Sequence, residues 1–197
     1  MRRLLYLIAG IFIAAFALFW VVTHINLNFS KKQGDIVDEM DGVAVYYNGA
    51  VESVEGRNTA DDGYNIGLKY QCVEFVKRYY CEHLNHKMPD SYGHAKDFFD
   101  ADIKDAEQNP KRALTQYKNP SATLPQKGDI LVFKGTILNR YGHVAIISNV
   151  TGAQVEIIQQ NPGQFGNSRE WFALAEQDGK YFIENSRVLG WLRKEKQ

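Results

Sequence analysis

The sequence has no excess of charge of either sign. Its 23 Lys and Arg residues are balanced by 23 Asp and Glu residues, so the formal net charge of the 197-residue chain is zero. Domains that bind nucleic acid carry a basic patch or stripe on one face. The basic residues here are scattered along the chain, and we therefore predict no nucleic-acid partner.

Cysteine is also scarce. The only two cysteines, Cys72 and Cys81, are too few for a disulfide scaffold. If both lie on one helix, their nine-residue separation corresponds to about 13.5 Å and to nearly opposite helix faces. A disulfide requires α-carbons within about 7 Å of each other, so at least one thiol is expected to be free.

Charge is absent from a long apolar run at the start of the chain. Arg2 and Arg3 are followed by uncharged residues from Leu4 to Val22, close to the roughly 20 residues that cross a bilayer as a helix. A cleaved signal peptide is the alternative, but its apolar region usually spans about 7–15 residues and ends in small residues. This run instead ends in Val-Val-Thr-His-Ile. We favour an uncleaved membrane anchor over residues 1–23.

The distribution of lysine and arginine predicts the orientation of that anchor. Arg2 and Arg3 favour a cytoplasmic N-terminus, although Lys31 and Lys32 on the far side oppose this. We predict a single-pass protein of the cytoplasmic membrane whose remaining residues face outward, toward the periplasm or the cell exterior. Residues 24–40 are polar and lack periodic apolar positions, which indicates a linker, and residues 41–197 form one domain of ordinary size.

Within the domain, helical patterns come first and strand patterns follow. A helix is predicted from Tyr70 to Leu84, with an apolar stripe on one side and Glu74, Lys77 and Arg78 on the other. A second short helix is predicted over residues 91–105, and further helical turns near residues 111–117. Strands are predicted from there on, at residues 130–133, 142–150, 154–161 and once or twice within 180–194. This order predicts an α+β architecture.

The stretch "KYQCVEFVKRYY" places Cys72 near the start of the predicted helix. The positive end of a helix dipole favours a thiolate there, and the first backbone N–H groups have no partner inside the helix. A nucleophilic cysteine also needs a histidine and a group that orients it. His143 opens a predicted strand directly after Gly142, and Gln159 can reach it from the next strand. Period two puts Gln159 and Asn161 on the same strand face.

Each of these residues also has a structural interpretation. A lone cysteine in a helix is more often a small core residue than a nucleophile, and a histidine at the start of a strand is usually a polar surface residue. Cys81, His83 and His86 resemble part of a metal site. A structural zinc needs four ligands, however, and the chain has no CxxC pair. We therefore predict no metal site.

Several motifs together resemble one known family. "YQCVEFVKRYY", "LPQKGDILVF", "GHVAIISNV", "VEIIQQN" and "VLGWL" occur in the order typical of the CHAP domain family, the cysteine, histidine-dependent amidohydrolases/peptidases. The wording is most similar to the amidase domain of bifunctional glutathionylspermidine synthetase/amidase, and the similarity extends over residues 41–193. The resemblance implies a papain-like CHAP fold, in which N-terminal helices pack on an antiparallel sheet. It also implies that no metal or organic cofactor takes part.

The resemblance also implies roles for individual residues. The family's nucleophile corresponds to Cys72, its general base to His143 and its third catalytic position to Gln159. That third residue is glutamate in the glutathionylspermidine amidases, whereas Gln159 can orient a histidine but carries no charge. Gln71 is expected to contact the oxyanion or the substrate, or else simply to cap the helix, and Asn161 is expected to bind substrate or to replace Gln159.

Three functions remain open at this point. An outward-facing CHAP domain would meet peptidoglycan peptides, which is the substrate class we favour. A glutathionylspermidine-like amide is the second possibility, although that conjugate is cytosolic. The third is an anchored binding module that has kept the fold and lost turnover, an alternative raised by the uncharged Gln159.

Overall fold

The computed structural model describes residues 2–136 and 139–195. In this part of the chain the helices are α1 (Arg2–His24), α2 (Cys72–Glu82) and a single 3₁₀ turn at Ala95–Phe98. The strands of the first half are β1 (Ile36–Met40), β2 (Val43–Tyr46), β3 (Arg57–Thr59), β4 (Asn65–Leu68), β5 (Glu107–Asn109) and β6 (Leu114–Lys118). Those of the second half are β7 (Ile130–Phe133), β8 (His143–Val150), β9 (Gln154–Ile158), β10 (Arg169–Gln177), β11 (Lys180–Ile183) and β12 (Val188–Arg193).

Eight of the strands form one sheet in the order β11-β10-β9-β8-β7-β12-β6-β5, and every neighbouring pair is antiparallel. β1 with β2 and β3 with β4 form two separate hairpins. β12, the last strand in the chain, lies between β7 and β6 in the interior of the sheet. The predicted α+β class, with a helix packed on an antiparallel sheet, is confirmed.

Strand alternation gives the sheet two buried faces. On β7, Ile130 and Val132 belong to the core beneath α2, whereas Leu131 and Phe133 belong to a second core on the opposite face. The residues of this second core all come from strands of the sheet. A bridge between Ser121 and Tyr181 joins the edge strand β11 to the segment after β6. The sheet therefore curls, and its α2 side is the one that carries the candidate site.

The polar side of α2 differs from the prediction. Glu74, Lys77 and Arg78 are all buried, with at most 6% of their surface exposed. Arg78 Nε donates to Glu74 Oε1 at 2.7 Å, and Lys77 Nζ donates to the carbonyls of Asn65 and Ser91. Buried charges are tolerated when they are paired in this way. The helix is therefore embedded between the sheet and the β3–β4 hairpin, with no solvent-facing charged side at these positions.

Three segments that precede the predicted strands also differ from the prediction. Only the 3₁₀ turn forms within residues 91–105, and residues 114–118 form β6 because they pair with both β5 and β12. Such pairing overrides local helical preference. Residues 24–40, predicted as a linker, contain β1. The Asp41-Gly42 pair, with φ of 50° and 83°, closes the β1–β2 hairpin, and Asp-Gly is a recognised hairpin signal.

The N-terminal apolar segment is a continuous helix with no buried residues. α1 is long and apolar enough to cross a membrane, a test that a signal sequence passes as well.

Candidate active site

A cavity of about 770 Å³ opens beside the N-terminus of α2. Cys72 and His143 both line it, as do Gln71 and Asn161. These residues come from three parts of the chain: the start of α2, the start of β8 and the turn after β9. The fold thus gathers four of the five predicted site residues around one cleft, and Gln159 contacts this group through His143.

Cys72 is the first residue of α2 and is buried. Burial raises the pKa of the Cys72 thiol, and the backbone N–H groups of Val144, Val73 and Cys72 itself oppose this shift. The contact with the Val144 N–H means that the sulfur lies next to the residue that follows His143. Both cysteines are free thiols, where the sequence predicts at least one.

Gly142 allows His143 to enter the cleft. Its backbone has a φ of 77°, in the left-handed region that side chains disfavour. A Cβ at this position would lie 2.6 Å from the carbonyl oxygen of Phe133. Only glycine lets the chain turn so close to β7, and the imidazole of the next residue is positioned by that turn.

His143 and Gln159 are joined by a hydrogen bond, with 2.8 Å between Nε2 and Oε1. The orientation of the amide is fixed, because Gln159 Nε2 donates to the carbonyl of Asn167 at 3.2 Å. Its Oε1 must therefore accept, so the proton of neutral His143 resides on Nε2. Nδ1 is left as the unprotonated, basic nitrogen of the ring.

Burial sets the charge state of the pair. It lowers the pKa of His143 to about 4, which the hydrogen bond to Gln159 partly counteracts and the charge of Arg187 reinforces. With the pKa of Cys72 raised at the same time, the resting pair at neutral pH is a thiol and a neutral imidazole. A carboxylate in place of Gln159 would favour the imidazolium instead.

Gln71 is engaged in the protein itself. Its Nε2 donates to the carbonyls of Val51 and Ser53 at 3.1 and 2.8 Å, and its Oε1 accepts from Asn161 Nδ2 at 2.7 Å. Both amide protons are therefore used, which leaves the side chain without a donor for an oxyanion. In this structure Gln71 holds the 51–53 loop against the start of α2.

Asn161 does not share a strand face with Gln159, contrary to the prediction. β9 ends at Ile158, and Asn161 has a φ of 57°, a left-handed conformation that asparagine tolerates better than most residues. The turn directs Asn161 toward Gln71, and of these two side chains Gln159 is the one that is hydrogen-bonded to His143. Asn161 Oδ1 is buried and has no hydrogen-bond partner within the part of the chain that the structure describes, so it can accept an N–H from a substrate.

The cleft also contains residues that carry no sequence signal. Arg57, Tyr92 and Arg140 line it. His94 is exposed, lines the same cavity and packs against Tyr141 with the rings tilted by 41° and 4.6 Å between their centroids. All of these positions lie in short or irregular segments, where periodicity gives no information.

The structure also shows how the possible metal ligands are arranged. Over residues 2–136 and 139–195, no three His, Cys, Asp or Glu side chains are grouped so that they could hold a metal ion. His86 contacts the carbonyl of Arg112 at 2.9 Å, and His83 lies 3.8 Å from Asp41. The two histidines near Cys81 thus have separate protein partners.

Comparison with known proteins gives a family and several relatives. The profile of the CHAP domain matches residues 61–161, slightly more than half of the chain. Trypanothione synthetase of Crithidia fasciculata is 28% identical over 143 residues, covering 70% of this chain and 22% of that protein. The bifunctional glutathionylspermidine synthetase/amidase of Escherichia coli is 28% identical over 147 residues, covering 69% and 23%. The chain therefore spans less than a quarter of the length of these relatives.

Among solved structures, Ly7917 in a crystal with the hydrolyzing product of MDP is 28% identical, with a TM-score of 0.28, covering 38% of this chain and 30% of that one. A second structure of Ly7917 is 23% identical, with a TM-score of 0.30, covering 48% and 40%.

Proposed function

The chain belongs to the CHAP domain family, and from that premise we propose that it is a membrane-anchored cysteine amidase or peptidase with Cys72 as nucleophile. Members of this family are amidohydrolases, so amide hydrolysis is the chemistry of this chain. The observation that carries the assignment of residues is the 2.8 Å hydrogen bond between His143 and Gln159, in the cleft that contains the Cys72 thiol.

The proposed reaction begins with proton transfer from the thiol of Cys72 to Nδ1 of His143 as the sulfur attacks the amide carbonyl. The C–N bond then breaks, His143 returns the proton to the leaving amine, and a thioester remains on Cys72. His143 next takes a proton from water, the hydroxide attacks the thioester, and the C–S bond breaks. The proton passes back to the sulfur, which restores the resting pair.

The neutral resting pair makes His143 a general base at the moment of attack. Gln159 holds the imidazole in the tautomer that this requires. The backbone N–H of Cys72 lies in the first turn of α2, where N–H groups have no partner inside the helix. It is therefore the proposed donor to the oxyanion. The geometry of Gln71 favours a positioning role, and the unpartnered Oδ1 of Asn161 favours a contact with substrate.

The proposed substrate class follows from the proposed topology. Residues 1–23 serve as the anchor, residues 24–40 join it to the catalytic domain, and residues 41–197 face outward across the cytoplasmic membrane. An outward cysteine amidase meets the peptide amides of peptidoglycan. A glutathionylspermidine-type amide is the second candidate, supported by the identity to glutathionylspermidine synthetase/amidase.

The test is alkylation of the full-length chain in vesicles by iodoacetamide between pH 4 and 9, with peptide mapping of both cysteines. Because His143 accepts the thiol proton, we expect the rate at Cys72 to be level from about pH 5 to pH 8. It should decline only as His143 becomes protonated near its pKa of about 4. Cys81, a partly exposed thiol on the same helix, serves as the internal control for access of the reagent to a thiol outside the cleft.

In His143→Ala, the level region of the Cys72 profile, in which the alkylation rate does not depend on pH, should be absent. The alkylation rate of Cys81 should be unchanged. If Cys72 reacts no faster than Cys81 at pH 6 and ignores the His143 substitution, the chain is an anchored binding module and the enzyme proposal is wrong. If the level region is present, release of amines from peptidoglycan peptides and from glutathionylspermidine decides between the two substrates.

A further inference from the structure

The end of the apolar helix α1 forms part of the catalytic cleft. Phe19 and His24 line the same cavity as Cys72 and His143. α1 is therefore more than a tether, because its last turns contribute to the wall along which a substrate would lie.

A single buried glutamine fastens the exit of α1 to the domain. Gln164 is only 7% exposed, and its Nε2 donates to the carbonyls of Val22 and Ile25 at 2.7 and 2.9 Å. Its Oε1 accepts from the N–H of Leu27. Every hydrogen-bonding group of this amide except one lone pair is thus used to hold the chain where it leaves the helix.

The same exit is linked to the catalytic residues. The N–H of Glu52 donates to the carbonyl of Thr23 at 3.0 Å. The adjacent carbonyl of Val51 accepts from Gln71 and Asn161, the two residues beside the thiol. The helix end and the start of α2 are therefore separated by two residues of one loop, which gives the cleft a fixed position relative to α1.

The position of Phe19 on α1 determines where the cleft lies relative to a bilayer. Phe19 is five residues before the end of the helix, a distance of about 7.5 Å along its axis. If the run from Leu4 to Val22 crosses the membrane, a cleft wall that reaches Phe19 extends to the headgroups of the outer leaflet.

Two exposed aromatic residues next to the hydrogen bonds of Gln164 agree with this placement of the cleft. Phe29 is 93% and Phe165 74% exposed. Phe29 follows Asn28 in the chain, and Phe165 follows Gln164. The side chain of Asn28 donates to the backbone carbonyl of Gln164 at 3.0 Å. Neither ring is covered by the protein, and Phe is among the apolar residues that interfacial segments bury at the boundary between headgroups and acyl chains.

We propose that the catalytic cleft opens onto the outer surface of the bilayer and takes its amide from the headgroup of a lipid-attached molecule. This inference rests on the proposed function and narrows its substrate class. An amide in wall polymer far from the membrane cannot reach a cleft held at this height, whereas a headgroup diffusing in the same leaflet meets the cleft directly.

The test uses the full-length chain in phosphatidylcholine vesicles and two alkylating probes. One is soluble iodoacetamide, and the other is phosphatidylethanolamine whose amine carries an iodoacetyl group. Confinement to the leaflet raises the local concentration of the lipid probe at the cleft. We expect the Cys72-to-Cys81 labelling ratio to be at least about tenfold higher with the lipid probe than with iodoacetamide, because Cys81 does not line the cleft.

Two sets of variants separate docking from folding. Phe29→Ser with Phe165→Ser alters only exposed rings and should lower the rate of the lipid probe at Cys72 about fivefold or more, with the rate of iodoacetamide unchanged. Gln164→Ala releases the helix exit and should lower the lipid-probe rate as well. Gln177→Ala, at an exposed glutamine at the end of β10, is the matched control and should behave as wild type.

Equal Cys72-to-Cys81 ratios for the two probes would overturn the inference. If iodoacetamide still gives the His143-dependent level region in that case, the proposed enzyme function stands and only the membrane-facing cleft is wrong. If that region is absent, the enzyme proposal is wrong, while the lipid probe still reports where the cleft opens, because alkylation requires no turnover.

Discussion

Gln159 is the residue that places an uncharged amide, rather than a carboxylate, against the ring of His143. Its amide fixes the tautomer of His143 through the 2.8 Å hydrogen bond but supplies no charge to an imidazolium. A carboxylate, Glu170, lies beyond it, with Oε2 3.5 Å from Gln159 Nε2. The histidine thus contacts a dipole rather than an ion, and in the proposed reaction the proton therefore moves during attack instead of before it.

Substitution of Gln159 by glutamate tests this point. In Gln159→Glu, a carboxylate beside the ring should raise the pKa of His143 by roughly one to three units. The acid limb of the Cys72 alkylation profile, which is the pH range in which the rate declines, should shift to higher pH from about 4 by the same amount. Gln154→Glu, which adds the same charge at the exposed start of β9, should leave the limb in place. An unchanged limb in Gln159→Glu would mean that the two side chains are not in contact.

Burial of His143 also predicts how stability depends on pH. The folded state holds the pKa of His143 at about 4, below the unfolded value of 6.5, so the unfolded chain binds the proton more readily. The stabilising effect is complete above pH 6.5 and is lost as the pH falls through 4, with a magnitude of about 3 kcal/mol at most. Urea denaturation of wild type and His143→Gln should show the free energy of unfolding of wild type falling more steeply between pH 6.5 and 4. Parallel curves would contradict the assigned burial.

At the scale of elements, α2 combines an N-terminus that carries Cys72 with a buried ionic network. Glu74 accepts from Arg78, from Asn58 and from Gln160, at 2.7, 2.8 and 2.8 Å. Gln160 is the neighbour of Gln159, so this network joins α2 to the turn after β9. The charged residues that a solvent-facing pattern predicts are instead the contacts that fix the helix in place.

Removal of the carboxylate should therefore be costly. Glu74→Ala leaves the guanidinium of Arg78 buried without its ionic partner, and we expect a loss of about 3–5 kcal/mol in the free energy of unfolding. Glu82→Ala, at the exposed end of the same helix, should change it by less than about 0.5 kcal/mol. Chemical denaturation of both variants measures the difference. Similar losses for the two would show that the ion pair does not stabilise the fold.

Local patterns predicted some elements well and others poorly. The buried strands β7 and β8 follow from continuous apolar runs, and the helix that starts at Cys72 follows from its apolar stripe. β6 could not be predicted locally, because its pairing with β12 involves residues more than 70 positions away. The β1–β2 hairpin did carry a local signal, Asp41-Gly42, which the polar composition of residues 24–40 obscured.

At the scale of the whole molecule, the position of β12 determines stability. Trp191 lies on this central strand and is completely buried in the core that the strands enclose. Trp191→Ala should cost about 3–5 kcal/mol, whereas Trp171→Ala, on β10 with 44% of the side chain exposed, should cost less than about 1 kcal/mol. Urea midpoints of the two variants provide the comparison. Equal midpoints would indicate that the sheet does not depend on its centre.

The site could be predicted from sequence in part. Cys72, His143 and Gln159 each lie in a distinctive motif, and the structure places Cys72 and His143 at one cleft with Gln159 hydrogen-bonded to His143. Their catalytic roles stay predictions. The contribution of Phe19 and the rest of the cleft wall could not be inferred, because the wall is assembled from segments that are brought together only by tertiary folding. The hydrogen bonds of Gln71 likewise depend on the 51–53 loop, whose contacts no local pattern encodes.

The central place of β12 has a consequence for how the protein is made. A chain that emerges from a ribosome or a translocation channel delivers β7 and β6 before the strand that must lie between them. Until residues 188–193 arrive, the sheet has a gap at its middle, and the thiol of Cys72 has no completed core around it. The newly made chain therefore passes through an interval in which the thiol of Cys72 is open to oxidants and to other thiols, and this interval closes with the insertion of the final strand.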